Sequence, residues 1–168
     1  MTGYRIGHGY DAHRFAEGRP LILGGVNVPY DRGLLGHSDA DALIHAVIDA
    51  LLGAAALGNI GTEFPDSDPA YKDADSMELL VKLANKLRDK RYGVVNVDST
   101  IVAQEPRLSA YLPGMAGNIA SALGIDTGCV SVKAKTEEGM GFTGSGQGIS
   151  CHAVCLLAAG RADPGAPE

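Results

Sequence analysis

Two segments near the amino terminus concentrate side chains that bind metal ions. GHGYDAH and, further along, GHSDADALIHAVIDA together contain four of the five histidines of the chain. Asp11 and His13 are two residues apart, so on an extended strand both side chains point to the same face. His45 falls in a stretch with helical spacing of apolar residues. One carboxylate and two imidazoles, with a fourth position open, form the ligand set of catalytic rather than structural zinc.

Spacing alone leaves the choice of ligands open. His8 and His37 compete with the other histidines for that role. Asp41 and Asp49 lie one helical turn to either side of His45, and one of them could instead orient its imidazole from outside the ligand shell. Carboxylate with imidazole suits zinc best, manganese or iron less well, and disfavours calcium, which takes oxygen ligands. We therefore predict a site for one divalent cation.

Two further elements suit phosphate binding. Thr136, Glu137 and Glu138 end a predicted strand and open a loop with five glycines among positions 139–148. Glycine lets backbone N–H groups approach an oxyanion closely, although a flexible hairpin loop has the same composition. Glu138 could hold a second cation, an Mg²⁺ already bound to phosphate. Arg107 is predicted at a strand-to-helix junction that attracts anions, or it is simply solvated.

The composition indicates one globular domain. The chain has 168 residues, of which 45% are hydrophobic and 20% charged, and we place the domain at 1–160 with a frayed tail at 161–168. The net charge of −6, without a basic cluster, argues against a nucleic-acid surface. The apolar runs are too short to span a bilayer, and no signal peptide is visible. We expect a cytoplasmic protein whose three cysteines are reduced.

The hydrophobic patterns predict strands, a hairpin and three helices. YRIGHGYDAHRF is predicted as a strand that ends near Asp11 and His13, and LILGGVNVP as a tight hairpin. Ser38 or Asp39 is expected to cap a helix that runs to about Gly58. The remaining predictions are a helix over 76–90, strand NVDSTIVAQ, a helix in RLSAYLPGMAGNIASALG kinked or restarted at Pro113, and strands CVSVKAKT and ISCHAVCLLAAG.

This order predicts an α+β sandwich, a single domain in which helices cover one face of a mixed, four-stranded sheet. VSVKAKT and ISCHAVCLLAA carry apolar residues on both alternating sets, so neither face of the sheet suits plain water. A symmetric oligomer that packs sheets around an axis would cover the second face. A three-fold assembly and a dimer are equally compatible with this pattern.

Five blocks, spread in order from about Arg5 to Leu157, resemble a known enzyme family. The blocks are RIGHGYDAHRF, GLLGHSDADALIHAVIDALLGAAALGNIG, FPDSDPAYKDADS, NVDSTIVAQEP and GFTG with its flanks. They are similar to the 2-C-methyl-D-erythritol 2,4-cyclodiphosphate synthases of the non-mevalonate pathway to isoprenoids. Ordered blocks of this length are far more specific than one glycine motif.

The resemblance implies a homotrimer whose sheets face a three-fold axis, with active sites between subunits. The implied substrate is 4-diphosphocytidyl-2-C-methyl-D-erythritol 2-phosphate, and the products are the 2,4-cyclodiphosphate and CMP. The enzyme would be a phosphorus–oxygen lyase that uses Zn²⁺ together with Mg²⁺ or Mn²⁺ between the substrate phosphates. Nucleic acid and membrane partners are not implied.

The resemblance also assigns residues. The Zn²⁺ ligands would be Asp11, His13 and His45, with Glu138 on the second cation. His37 and Thr136 would steady the transition state. The substrate would contact residues in several segments: Asp11, His13, His37, Ser38, Asn59, Ile60, Gly61, Phe64, Asp66, Asp68, Ala103, Arg107, Leu108, Ser109, Ala134, Lys135, Thr136, Glu138 and Phe142. Within this set, 103–109 and 134–136 would form the cytidine pocket, and 64–68 a mobile loop over the methylerythritol end.

The chain departs from the family pattern at four positions. Asn59 stands where Asp is usual, which removes a charge near the substrate. Ser145 and Gln147 replace an Arg and a Glu, and in some members that Arg holds an isoprenoid diphosphate in the central channel. We therefore expect this channel to lack that anion site. Lys135 replaces a small hydroxyl residue beside Thr136 and adds a positive charge near the nucleotide phosphates.

Two other functions are compatible with the same residues. A metal-dependent hydrolase of nucleotide diphosphates would need the same ligands, with water in place of the internal phosphate. A non-catalytic trimer that binds nucleotide or isoprenoid ligands would not need all of Asp11, His13, His45, Thr136 and Glu138. The intact set therefore favours an enzyme.

Overall fold

The computed structural model describes residues 3–65, 68, 71 and 74–160. Within these residues, four strands come first, three helices follow, and strands and helices alternate only after that. The strands are β1 (Tyr4–Glu17), β2 (Leu21–Leu23), β3 (Val26–Val28), β4 (Arg32–Leu34), β5 (Tyr92–Val102), β6 (Val130–Lys135) and β7 (Gly148–Ala159). The helices are α1 (Ala42–Ala55), α2 (Ile60–Glu63), α3 (Ser76–Asp89), α4 (Leu112–Leu123) and α5 (Gly141–Gly144), and a 3-10 turn spans Thr127–Cys129.

The main sheet is mixed, as predicted, but the described residues give it five strands rather than four. The strand order is β4-β1-β7-β5-β6, and β2 and β3 form the separate predicted hairpin. β5 and β6 run parallel, and every other neighbouring pair in the main sheet is antiparallel. The additional strand is β4, which pairs with the end of β1. Its three residues, RGL, are too few to show an alternating pattern.

The first long helix begins later than predicted. Its N-cap is Asp41, whose side chain accepts the backbone N–H of Ile44, so the expected cap at Ser38 or Asp39 is wrong. The helix ends at Ala55 rather than near Gly58. Any of the three polar residues before the helix could serve as a cap, and the sequence does not show that two of them contact other groups.

The other helices largely follow the predictions. α3 confirms the helix expected over 76–90. α4 has Pro113 in its first turn, where the missing N–H costs nothing, so this proline starts a helix instead of kinking one. α2 and α5 are single turns within segments that we predicted as loops, too short for a periodic pattern.

The helix layer covers one face of the sheet, with α1 packed on β1 and β7. Two glycines of β1 make this contact unusually close. A Cβ atom built on Gly9 would lie 1.9 Å from the carbonyl oxygen of Ala46, and one on Gly7 would lie 1.9 Å from that of Ala50. The backbone of the helix therefore rests directly on the backbone of the strand. The next residues of β1 on this face are Asp11 and His13.

The opposite face of the sheet has no helix over it in the described part of the chain. Tyr4 is 69% exposed there and Ile6 is 73% exposed, with Tyr10 and Val154 also open to solvent. Within one chain, the described helices therefore lie over one face of the sheet and the second face is uncovered. None of the described helices has the length and apolar character needed to cross a bilayer. The predicted tail at 161–168 lies outside the described residues, so the domain limits stay a prediction.

The contact between α1 and β1 makes Gly9 intolerant of any side chain. We expect Gly9→Ala to lower the free energy of unfolding by about 2 to 3 kcal/mol, because its methyl group would meet helix backbone that cannot move aside. Urea denaturation followed by circular dichroism would measure this change. In the matched control Gly117→Ala, on α4, the new Cβ has no neighbour within 4 Å, and we expect stability to rise by up to about 1 kcal/mol. Equal stability of the Gly9→Ala variant and the parent would contradict the close-packing argument.

Candidate functional site

Asp11, His13 and His45 converge at the edge of the α1–β1 contact. Asp11 Oδ2 lies 2.9 Å from His13 Nε2 and 3.0 Å from His45 Nδ1, and the two imidazole nitrogens are 3.4 Å apart. Ligand atoms on a tetrahedral zinc ion, with bonds of 2.0–2.2 Å, are separated by roughly 3.3 Å. The three atoms therefore fit one small divalent cation, and all three side chains are only partly buried. Spacing alone leaves several candidate ligands, and of these the described structure brings together Asp11, His13 and His45.

The protonation of this cluster reflects how close its members are. Burial would raise the pKa of Asp11, but hydrogen bonds from His13 and His45 and their charges hold it well below its usual range. Burial would lower the pKa of His13, yet its bond with Asp11 raises it above the ordinary value. Asp11 is thus a carboxylate at neutral pH, which is the form that binds a cation.

Each imidazole is held through its other ring nitrogen, which decides the nitrogen left for a metal. His13 Nδ1 lies 2.7 Å from the carbonyl oxygen of Leu35, so it donates and leaves Nε2 free. His45 Nε2 lies 3.0 Å from Ser76 Oγ. Ser76 Oγ in turn donates its proton to Asp39, so it can accept the proton of His45. Nδ1 of His45 then faces Asp11 and is the nitrogen that a metal ion would take, the arrangement that is typical of a metal-binding histidine.

The predicted outer partners of His45 have different contacts. Asp41 is fully buried and accepts the backbone N–H groups of Gly24 at 2.9 Å, Gly25 at 2.8 Å and Ile44 at 3.1 Å. Burial raises its pKa to about 6, although the three donors favour its charged form. Asp49 accepts the N–H of Ile60 at 2.7 Å. The expectation that either carboxylate orients His45 is therefore wrong.

The true outer partners, Asp39 and Ser76, were missed. Asp39 is a predicted helix cap, yet both its side-chain oxygens accept hydrogen bonds from Ser76, one of them from the Ser76 backbone N–H at 3.0 Å. Ser76 lies 31 residues after His45 and begins α3. No local pattern joins positions so far apart. The sequence shows that residue 76 is polar, but only the structure shows that its side chain is fully buried.

The segment that carries His37 is held next to this cluster. Arg19 donates to the carbonyl oxygens of Gly36 at 3.0 Å and of Ser38 at 2.5 Å. Ser38 Oγ lies 3.3 Å from His45 Nε2, and His37 between these anchors is exposed. The guanidinium thus fixes the backbone on both sides of an exposed imidazole beside the metal ligands.

Most residues of the predicted cytidine pocket line a separate cavity, here called the second cavity. It has a volume of about 190 Å³ and lies between the ends of β5 and β6. Its lining residues are Ala103, Gln104, Pro106, Arg107, Leu108, Ser109, Ala134, Lys135 and Thr136. Arg107 and Ser109 are exposed, whereas Leu108 is buried. A larger cavity, of about 580 Å³, lies between the ends of α3 and α4 and contains none of the predicted site residues.

The glycine-rich segment after this pocket is a compact turn. Thr136 Oγ1 donates to Glu138 Oε1 at 2.9 Å, which joins two of the predicted phosphate and cation residues. Thr143 Oγ1 donates to Glu137, and Gly139 N donates to Gln104 Oε1 at 3.4 Å. The α5 turn lies within this segment, so the alternative of a plain flexible hairpin does not describe it.

The remaining predicted residues lie near α2 and α5. Asn59 caps α2 by accepting the N–H of Thr62 at 2.9 Å, and Ile60 and Gly61 are the first residues of that turn. Phe64 is 6% exposed and its ring packs against Tyr71, so the core rather than a ligand surrounds it.

Phe142 is exposed on α5, and Asp68 is exposed after the α2 turn. Asp66 lies outside the described residues. Gln147 Nε2 donates to Ser145 Oγ at 3.0 Å, and both side chains are uncharged.

The Asp11–His13–His45 cluster and the second cavity are two half-sites. They lie at the same level of the sheet but are not adjacent. Asp11, Cys151, Ile101 and Ala134 are successive partners across β1, β7, β5 and β6. Neighbouring strands are about 4.8 Å apart, so the metal ligands and the second cavity are separated by about 14 Å within one chain.

Comparison with known proteins places this pair of half-sites in one family. The model of the YgbB family matches residues 4–158, which include both half-sites. The chain belongs to the YgbB family. A relative from Clostridium perfringens, named 2-C-methyl-D-erythritol 2,4-cyclodiphosphate synthase, is 58% identical over 153 residues, which cover 91% of this chain and 98% of the relative. The resemblance drawn from the five sequence blocks is thereby confirmed.

Solved structures of this family share the fold. The bifunctional IspDF of Campylobacter jejuni superposes with a TM-score of 0.91 at 40% identity, over 95% of this chain and 43% of the longer protein. The CDP complex of IspF from Plasmodium falciparum superposes with a TM-score of 0.83 at 35% identity, over 96% of this chain and 99% of that one. The α+β fold of this YgbB-family chain is therefore shared with experimental structures.

The hydrogen bond from His45 to Ser76 predicts a role for Ser76 in metal binding. We expect Ser76→Ala to weaken Zn²⁺ affinity by about 10- to 100-fold, because His45 loses the partner that fixes its ring and tautomer. Competition titration with a chromogenic chelator would measure the affinity. Ser121→Ala, an exposed position on α4, is the matched control and should bind Zn²⁺ like the parent. Unchanged affinity in the Ser76→Ala protein would remove Ser76 from the metal centre.

Proposed function

We propose that this protein converts 4-diphosphocytidyl-2-C-methyl-D-erythritol 2-phosphate into 2-C-methyl-D-erythritol 2,4-cyclodiphosphate and CMP. The observation that carries the proposal is the Asp11–His13–His45 cluster, with each imidazole held in the tautomer that binds a metal, in a chain 58% identical to a named synthase. The reaction serves the synthesis of isoprenoid precursors, and the enzyme class is a phosphorus–oxygen lyase.

We infer that the active site forms between subunits of a homotrimer whose sheets face a three-fold axis. Two observations support this assembly. The helix-free face of the sheet exposes large apolar side chains such as Ile6. The metal ligands and the cavity at Ala134 are about 14 Å apart in one chain, whereas a neighbouring copy could bring its own cavity beside them.

The proposed reaction forms one P–O bond and breaks another. An oxygen of the 2-phosphate attacks the β-phosphorus of the diphosphate, and the bond from that phosphorus to the bridging oxygen breaks. The electron pair leaves with CMP. The attacking oxygen is already anionic, so the enzyme needs no general base, and its main task is to hold two anions together in line.

The side chains of this protein are placed for that task. Asp11, His13 and His45 would hold Zn²⁺, which as a Lewis acid supplies positive charge to a phosphate oxygen. Exposed His37 and half-buried Ser38 would bind the 2-phosphate from the segment that Arg19 fixes. Thr136 and Lys135 would contact the nucleotide phosphates, and Glu138 would hold the second cation, Mg²⁺ or Mn²⁺.

The second cavity suits a cytosine nucleoside. Its lining combines buried Ala103 and Leu108 with exposed Arg107 and Ser109. Backbone groups in the buried part of the cavity would recognise the base, and Arg107 at its rim would face a phosphate. Residues 59–61, with the exposed Asp68 and Phe142, would cover the methylerythritol end. A cytoplasmic location stays a prediction from the sequence.

Product analysis separates the synthase from its rivals. We expect the purified protein, given the cytidyl substrate with Zn²⁺ and Mg²⁺, to release CMP and a cyclic diphosphate with paired resonances in ³¹P NMR. His45→Ala should abolish both, because the zinc site loses a ligand, while Ser121→Ala should turn over normally.

Other products would point to other functions. CMP accompanied only by linear phosphates would identify a nucleotide-diphosphate hydrolase. Binding of the substrate with no turnover under any metal condition would identify a non-catalytic ligand-binding protein.

Asn59 gives a prediction specific to this chain. Asparagine and aspartate both cap helices well, so Asn59→Asp should change the free energy of unfolding by less than about 0.5 kcal/mol. The new charge lies at the predicted substrate position, and we expect a change in KM with kcat preserved. Steady-state kinetics of the two proteins would measure this. An unchanged KM would remove residue 59 from substrate binding.

A further inference from the structure

The uncovered face of the sheet carries a pair of histidines that the proposed reaction does not use. His8 lies on β1 and His152 on β7, and both are exposed. In the strand register His8 faces Val154 and Tyr10 faces His152, so the two histidines are diagonal neighbours. His8 alternates with Asp11 and His13 along β1, so it points to the opposite side of the sheet from the zinc ligands.

The two imidazoles approach with the separation of metal ligands. His8 Nε2 and His152 Nδ1 are 3.4 Å apart. With Zn–N bonds of 2.0–2.1 Å and a tetrahedral angle, two ligand nitrogens lie roughly 3.4 Å apart. The two zinc-site histidines, His13 and His45, show the same separation of 3.4 Å.

The side chains around the two histidines hold the rings in place and would not repel a bound cation. The ring of Tyr10 packs on His152, with centroids 4.8 Å apart. The closest cation in the register is Lys133, across β5 from His152, about 10 Å away. Lys133 is paired with Asp98, which offsets its charge. A divalent cation between the histidines would therefore meet little repulsion from this face.

We propose that His8 and His152 form a second metal site, for a transition-metal ion that accepts imidazole, such as Zn²⁺ or Cu²⁺. Imidazole pairs favour these ions over Mg²⁺ and Ca²⁺, which take oxygen ligands. Water completes the coordination in a single chain. In the proposed trimer, and resting on it, the same pair from other copies could supply further nitrogens.

The test removes the first site, so that His8 and His152 are the one close pair of imidazoles left among the described residues, and His37 is the single other histidine. In a tag-free His13→Ala/His45→Ala background, stripped of metal, we expect Cu²⁺ to show nitrogen hyperfine splitting in its electron paramagnetic resonance spectrum. Calorimetry with Zn²⁺ should give between one-third and one ion per chain. Adding His8→Gln or His152→Gln should weaken Zn²⁺ binding at least about tenfold, whereas Thr100→Ala, beside His152 in the register, should leave it unchanged.

A second measurement covers the case in which the background does not fold. In the otherwise unchanged protein, His152→Gln should lower the total bound Zn²⁺ and leave synthase turnover in place. Zn²⁺ binding that is equal with and without His8 and His152 would overturn the proposal. Loss of turnover in the first-site variants, together with a Cu²⁺ signal that His8→Gln then removes, supports the second site whatever reaction the first site performs.

Discussion

The direct contact between the backbones of α1 and β1 is the constraint on which the site depends. Gly7 and Gly9 remove the side chains that would otherwise hold helix and strand apart. Because the helix lies so close, His45 on its first turns reaches Asp11 and His13, the next residues of the same strand face. A side chain at either glycine would widen the gap by more than the metal–ligand bond lengths tolerate.

The site is held by acidic residues with separate tasks. Asp41 fixes the start of α1 and ties it to the β2–β3 hairpin through three backbone donors. Asp39 reaches His45 through Ser76 and so joins α3 to the metal centre. Asp49 fixes the start of α2. The cluster of acids in the sequence is therefore a set of structural anchors around one candidate metal ligand, Asp11.

The two faces of the sheet pose different physical problems. The covered face buries the core of α1, α3 and α4 and carries the metal ligands. The other face exposes tyrosine, isoleucine and a histidine pair, which an isolated chain gains nothing by displaying to water. Covering that face by assembly would also bring together half-sites that lie about 14 Å apart in one chain. In the proposed trimer, assembly and catalysis would therefore depend on the same property of the sheet.

The sequence by itself determined the hairpin, the long helices, the mixed sheet with helices on one face, and the candidacy of Asp11, His13 and His45. These features follow from local periodicity, turn residues and motif blocks, which the chain displays within short windows. Tertiary structure alone decided that Ser76 and Asp39 support His45, that Asp41 caps α1, and that β4 joins the sheet. The reason is that each of these choices depends on which polar group meets a partner between 16 and 37 residues away, or on a pairing too short to leave a pattern. The structure also decides against His8 as a ligand of this site, because α1, which carries His45, packs on the opposite face of the sheet.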